Sequence, residues 1–156
     1  MATEDLTRAL DEAEAAYELF PHAHTESALA EALGLSPDDV AKALIVKTHE
    51  GYLRAVVQAS GRLDERKVRD LTGGSKKDVH LATEDDLRRD YPEFVLGAVP
   101  PAGGARRDPV IVDSHVAARE SVVLEAGSHE QSVRIATSDL VRAAGAEVAG
   151  ICKGDS

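Results

Sequence analysis

The chain has 156 residues, enough for one domain with its own core and too few for two comfortable ones, and its 43% hydrophobic content excludes long disorder. The formal net charge of −10, with 18 Lys and Arg against 28 Asp and Glu, excludes a general nucleic-acid binder, because phosphate affinity comes from cations that release counterions. Aromatic residues at 3% argue against a base-stacking surface as well, so any RNA contact must be local and no DNA partner is expected.

In chain order, residues 4–19 predict a helix, with Leu6, Leu10, Ala13 and Tyr17 at helical spacing, Thr3 able to cap the start and Pro21 after the end. Thr25 to Leu33 predicts a second helix, stopped by Gly34. Ser36-Pro37-Asp38-Asp39 has the composition of a helix start, which must be short because Ala43-Leu44-Ile45-Val46 predicts a strand. Tyr52 to Ala59 is a second strand, joined through His49-Glu50-Gly51 as a hairpin. Asp64 to Leu71 is helical and ends at Gly73-Gly74; Val79 to Ala82 is a short strand; Thr83-Glu84-Asp85-Asp86 opens a helix that stops near Tyr91-Pro92. Apolar strands are expected at about 94–99, 110–113, 121–125 and 132–136, then a helix from Thr137 to about Ala144 and a closing strand from Val148 to Cys152.

Helices and strands alternate irregularly, and several strands follow one another without a helix. That order predicts a single α+β domain over 1–156, with a mixed, mainly antiparallel sheet. The Pro/Gly-rich segment Pro100 to Pro109 is a loop between strands of similar character, not a domain linker. Cys152 is the only cysteine, which excludes an intramolecular disulfide and fits a reducing compartment. The acidic amphipathic start MATEDLTRAL predicts no signal peptide. No apolar run approaches the ~20 residues that span a bilayer, so a cytoplasmic location without a membrane partner is expected.

Several common chemistries find no sequence support. There is no G-x-S-x-G elbow, no P-loop and no G-x-G-x-x-G. His49-Glu50 and His129-Glu130 lack the second histidine of H-E-x-x-H. His22-Ala23-His24 has no nearby third ligand, so neither a metal nor another cofactor is expected.

Three segments remain. One is Asp39 to Val46, with Lys42 at the edge of an apolar strand. Another is Gly97-Ala98-Val99-Pro100-Pro101-Ala102-Gly103, a strand running into a rigid Gly/Pro loop. The third is Val110-Ile111-Val112-Asp113, followed after the next strand by Glu125-Ala126-Gly127-Ser128-His129. Their order and spacing resemble the YbaK / prolyl-tRNA editing family. The matching features are Thr25, Leu33-Gly34 and Lys42; the Gly-x-x-x-Pro-x-Gly loop at Gly97, Pro101 and Gly103; the strand ending in Asp113; Ala126-Gly127; and Ser138-Asp139-Leu140. The resemblance covers roughly residues 15–152. Pro100, Ala102 and Gly150 depart from the family's usual residues, which bears on pocket shape and substrate choice.

The resemblance implies a sheet curled around a pocket with helices packed outside, and a hydrolase of the ester between a wrong amino acid and the tRNA 3′ end. Lys42 and Gly97 are then the catalytic candidates, and Thr25, Pro101, Gly103, Asp113, Gly127 and His129 the substrate-binding ones. Lys42 would hold a phosphate or the ester, and the Gly97 loop would offer backbone N–H groups to the oxyanion. Asp113 would orient the loop or bind the substrate amine, and His129 is a candidate base. The expected partner is the aminoacyl-tRNA 3′ end, with a synthetase as a further candidate. The expected substrate is a small amino acid (alanine, cysteine or serine) on tRNA for proline. A non-catalytic module of the same fold that binds a tRNA end or a synthetase is the alternative.

Overall fold

The computed structural model describes residues 2–21, 35–73, 79–95, 98–104, 108–128 and 131–153. Helix α1 spans Ala2–Glu12 and buries Leu6 and Leu10. It does not continue to residue 19. Glu14 turns the backbone to φ +56°, the Ala15 N–H closes the end on the Leu10 carbonyl, and Tyr17–Pro21 forms strand β1. Pairing of β1 with the later strand β7 (Gln131–Ala136) overrides the helical spacing of Tyr17. The predicted helix at Thr25–Leu33 lies outside the described residues.

A 3-10 turn at Pro37–Asp39, with Ser36 Oγ accepting from the Asp38 N–H, leads into β2 (Ala41–Thr48). β2 and β3 (Gly51–Gln58) form the expected hairpin, closed by the Thr48/Gly51 pair with Gly51 at φ +129°. Helix α2 (Glu65–Thr72) is capped by the Asp64 carboxylate and ended by Gly73 at φ +76°. The short strand β4 (His80–Leu81) precedes α3 (Glu84–Asp90), where Thr83 and Asp86 form a reciprocal capping box.

The expected strand at 94–99 is not found at its described positions. Phe94, Val95, Ala98 and Val99 lie in no strand, and Phe94 and Val99 are instead buried against Ile45, Tyr52 and Tyr91. Strand β5 (Val110–Asp113) is followed by α4 (Ser114–Ala117), a short helix not foreseen, then by β6 (Ser121–Ser128), β7, α5 (Thr137–Ala144) and β8 (Glu147–Ala149).

The strands divide into two sheets. One is three-stranded and antiparallel, in the order β1-β7-β6; the other is five-stranded and mixed, in the order β4-β2-β3-β5-β8. A bridge between Val40 and Val123 links them. Tyr52 to Val57 on β3 are all buried because both faces of the five-stranded sheet are covered. One face packs Ala41, Val56 and Val112 against Leu124 and Ile135 of the other sheet and Leu6 and Leu140 of the helices. The opposite face packs Val46, Leu53, Val57 and Ile111 against Val68 of α2 and the C-terminal Ile151. Each fully buried aliphatic side chain of this kind contributes about 1.5–3 kcal/mol of transfer free energy. The result is the predicted α+β domain, with its strands divided between two sheets. Among the described residues, no helix is long and apolar enough to cross a membrane.

Candidate functional site

Where the edge of the five-stranded sheet meets the three-stranded one, a narrow crevice of about 20 Å³ opens. It is lined by Lys42 with its neighbours Ala41 and Ala43, by Ala98, Val99 and Pro101 of the loop, and by Leu124 and Glu125 of β6. Lys42 is the second residue of β2 and is exposed; Pro101 is buried; Glu125 is half-buried. Lys42, the loop and the half-buried Glu125 thus border one space with a lining of small apolar side chains. Sequence reasoning quoted Glu125 within its segment but gave it no role. The signal available was its place in β6, whose neighbours Leu124 and Ala126 are both core residues.

The loop from 98 to 104 is held from several directions. Its approach is tied to β6, because the Val95 N–H donates to the Gly127 carbonyl at 3.1 Å and the Ala98 N–H donates to the Val95 carbonyl at 3.0 Å. Gly127 reaches this position with φ +91°, beside the irregularity between Glu125 and Ser128 in the β6/β7 pairing. Beneath the loop lies Arg54 of β3, 2% exposed, which donates from Nη1 to the Pro100 carbonyl at 2.9 Å and from Nη2 to the Gly103 carbonyl at 2.8 Å. The guanidinium sits 5.2 Å from the centre of the Tyr91 ring, and the Tyr91 hydroxyl donates to Asp108. Burial, and then that bond to Asp108, push the Tyr91 phenol up to about 12, so it remains a neutral donor. Pro101 is a common wall, since a second cavity on its far side contains Arg54, Gly103 and Asp108 together with Asp5 and Arg8 of α1.

Gly103 faces this second cavity and not the crevice. Its φ is +89°, and a Cβ there would stand 2.4 Å from the Asp5 carbonyl oxygen, so glycine is required for the loop to pass α1.

Asp113 is fully buried and does not line the crevice. Its Oδ1 accepts from the Ile151 N–H at 2.9 Å; its Oδ2 accepts from the His115 N–H at 3.0 Å and lies 2.8 Å from His115 Nδ1. Burial pushes its carboxyl up, but the bonds from Ile151 and His115 outweigh this and hold it below the usual range. The residue therefore caps α4 and anchors the C-terminal segment. Beside it, the Cys152 thiol is pushed up to about 11 by burial and by the Asp113 charge and hydrogen bond, against the opposing pull of Lys67 and Lys42.

Lys42 and Pro101 thus share the crevice lining, Gly103 and Gly127 brace the loop, and Asp113 stands away from it. Thr25, Gly97 and His129 lie outside the described residues, as do His22 and His24.

Two sheets packed around a lysine-and-loop crevice define the chain as a small α+β domain. The model of the aminoacyl-tRNA editing domain matches residues 20–143, and the chain belongs to that family. Its fold is similar to that of a hypothetical protein known from a crystal structure, with TM-score 0.86, 23% identity, and 96% of this chain and 99% of the other covered. It is equally similar to a proposed trans-editing enzyme for prolyl tRNA synthetase, with TM-score 0.83, 24% identity and 98% of each chain covered. Likeness at these identities shows the fold alone.

Proposed function

We propose that this chain acts in trans as an aminoacyl-tRNA deacylase, cleaving the ester between a small amino acid and the 3′ end of a mischarged tRNA. The observation that carries this reading is that Lys42 and the loop residues Ala98, Val99 and Pro101 line one crevice in a chain of the editing family. An aminoacyl ester is already activated, so a positioned water and donors aimed at the developing oxyanion suffice. In this reading water attacks the ester carbonyl, the tetrahedral oxyanion is met by Lys42 and by the Val99 N–H, and the ribose oxygen leaves with the proton that the water gives up. Gly97, next in sequence to Ala98, is the further candidate of this reading, since a residue without a side chain would not hold the backbone away from the ester. Glu125 faces the same space and suits the substrate's α-ammonium group. Thr25 and His129 are the further substrate contacts that the family resemblance implies.

Alanine, serine and cysteine are the proposed amino acids, and tRNA for proline the proposed body. The small apolar lining excludes bulky side chains by clash and separates small ones poorly, since one methylene is worth about 1–3 kcal/mol. A cytoplasmic setting, and a synthetase as a second partner, belong to the same proposal. The test is deacylation of alanyl-, seryl-, cysteinyl- and prolyl-tRNA by wild type and Lys42→Ala. Wild type is expected to prefer the small mischarged esters. Loss of Lys42 is expected to slow hydrolysis by a factor on the order of 10² without unfolding the protein. Wild-type rates in the variant remove Lys42 from the mechanism, and preference for the cognate prolyl ester removes the editing assignment.

A further inference from the structure

In a chain of net charge −10, the placement of the cations that carboxylates leave unmatched is informative. Most exposed cations are neutralised where they stand: Arg8 by Asp5, Lys47 by Asp86, Arg88 by Glu84 and Asp85, Arg119 by Asp39, and Arg142 by Asp139. Arg89 is matched likewise by Asp86 and Asp90. Among the described residues, Lys42, Arg62, Arg69, Arg134 and Lys153 enter no ion pair. Arg134 stands apart on β7. Lys42, Arg62 and Lys153 lie near the end of the five-stranded sheet where β2 begins, and Arg69 lies on α2 in a depression shared with Lys153 and with Leu81 of β4.

The geometry of that end is explicit. Leu63 bridges to Cys152, and the Lys153 N–H donates to the Arg62 carbonyl at 2.8 Å, which sets Arg62 and Lys153 side by side. The Lys67 ammonium donates to the Cys152 carbonyl at 2.7 Å. Arg66, Arg69 and Lys153 rim a single open depression with Leu63 and Leu81 among its lining. Arg66 is 74% exposed, and its only ion-pair contact among the described residues is 3.6 Å from Asp64. Asp64 and Glu65 also line the depression, but both are turned to the backbone: Asp64 caps α2, and Glu65 accepts the Leu81 N–H at 3.2 Å. Even with Asp70 included, the patch remains net positive on a strongly negative protein.

This patch adjoins the crevice through the same sheet end. β2 begins where β3 ends, with Ala41 opposite Gln58, and the chain then turns through Gly61, where an added Cβ would lie 3.2 Å from Cys152 Sγ. Lys42 therefore stands between the crevice and the patch; its charge, with that of Lys67, reaches the Cys152 thiol.

We infer that the surface formed by Arg62, Arg66, Lys67, Arg69 and Lys153 is a docking site for the phosphodiester backbone of the RNA whose aminoacylated 3′ end enters the crevice. The inference rests on the deacylase reading and adds to it where the acceptor stem lies. Phosphates have no base identity, so the patch contributes affinity and orientation, and selection of the amino acid stays in the crevice. The overall negative charge repels RNA from the rest of the surface and leaves this approach favoured.

The experiment compares wild type with Arg66→Glu/Arg69→Glu/Lys153→Glu on two substrates: alanyl-tRNA and the same alanyl ester on a short 3′-terminal oligoribonucleotide. A milder Arg69→Gln/Lys153→Gln variant, with thermal unfolding of each protein, guards against loss of fold. The triple variant is expected to raise KM for alanyl-tRNA by tenfold or more while leaving the short ester within twofold. Because each duplex phosphate contact contributes about 0.9 to the slope of log affinity against log salt, losing three contacts should reduce that slope by about 2–3. An unchanged KM and salt slope on alanyl-tRNA overturns the docking site and leaves the deacylase reading intact. If wild type hydrolyses neither ester, the deacylase reading falls. The patch is then judged by binding of uncharged tRNA at low salt, where equal affinity of wild type and triple variant overturns it.

Discussion

Replacing Arg54 by methionine isolates what the buried guanidinium does for the loop. Methionine preserves most of the apolar stem and removes the charge with both carbonyl bonds. The Pro100 and Gly103 carbonyls each lose a charge-assisted donor at 2.9 and 2.8 Å. Bonds of that kind are worth about 1.5–3 kcal/mol each, and the contact with Tyr91 adds about 0.5–2 kcal/mol. Against this, the variant no longer desolvates a cation, a cost of several kcal/mol in the native protein. Water entering the adjoining cavity can also satisfy part of what is lost. The balance is a net destabilisation of about 2 kcal/mol, which for a chain of this size is a drop in Tm of roughly 4–8 °C.

Activity should suffer beyond stability. A loop displaced by about 1 Å can cost up to 10² in rate, so kcat should fall well below wild type at a temperature where the variant is fully folded. Arg54→Lys should recover part of the stability but little of the rate, because an ammonium lacks the fork that reaches two carbonyls. Urea unfolding and single-turnover deacylation of alanyl-tRNA read the two effects separately. A methionine variant within 0.5 kcal/mol of wild type and with unchanged kcat would refute the clamp.

Three further outcomes follow from the geometry. Gly103→Ala forces a Cβ to within 2.4 Å of the Asp5 carbonyl at φ +89°, and should cost about 2–5 kcal/mol in urea unfolding; a neutral effect would mean that α1 and the loop separate freely. Asp86 is lowered from 3.8 to about 2, first by the Thr83 N–H and then by the Thr83 hydroxyl, Arg89 and Lys47 against some desolvation. Its contribution is therefore whole above the unfolded value and is lost as pH falls through about 2, so Asp86→Asn should flatten the acid limb of stability below about pH 4. The Cys152 thiol, at about 11 and buried, should alkylate far more slowly in native protein at pH 8 than in urea, and equal rates would contradict its placement.

The sequence was most legible where local chemistry and tertiary context agree. Asp64 before Glu65–Thr72 with Gly73 after it, Thr83 before Glu84–Asp90, and the hairpin through His49-Glu50-Gly51 all appear at the expected places. It misled where one pattern served two structures. Tyr17 continues the helical stripe of Leu6 and Leu10, yet it pairs with Ile135 across β1 and β7. Residues 94–99 are apolar enough for a strand, but burial of Phe94 and Val99 is achieved without ladder pairing. Lys42 and the Pro101 loop could be nominated through resemblance, because their order along the chain is itself the signal. Arg54 could not be, since a single arginine within an apolar strand does not reveal which carbonyls it meets. Arg69 and Lys153 are far apart in the sequence, and only the folded chain brings them to one depression.

The same distinction explains how so acidic a chain can serve an RNA substrate. Composition reports the sum of charges, whereas binding depends on which charges remain unmatched and where they stand. Here carboxylates neutralise the arginines of α3 and α5 within one helical turn, at Glu84, Asp85 and Asp139. Beside α2, Asp64 caps the helix as well as meeting Arg66, and Glu65 accepts a strand N–H, while Arg62, Arg69 and Lys153 enter no ion pair among the described residues. Below the loop the opposite arrangement holds, with a buried cation directed at two backbone carbonyls and the Tyr91 ring. One cation is used to fix the wall of the crevice, and several are left to meet what approaches it. A substitution inside the first group should therefore alter kcat with little change in salt dependence, and one inside the second should alter KM and its salt dependence with little change in the chemical step.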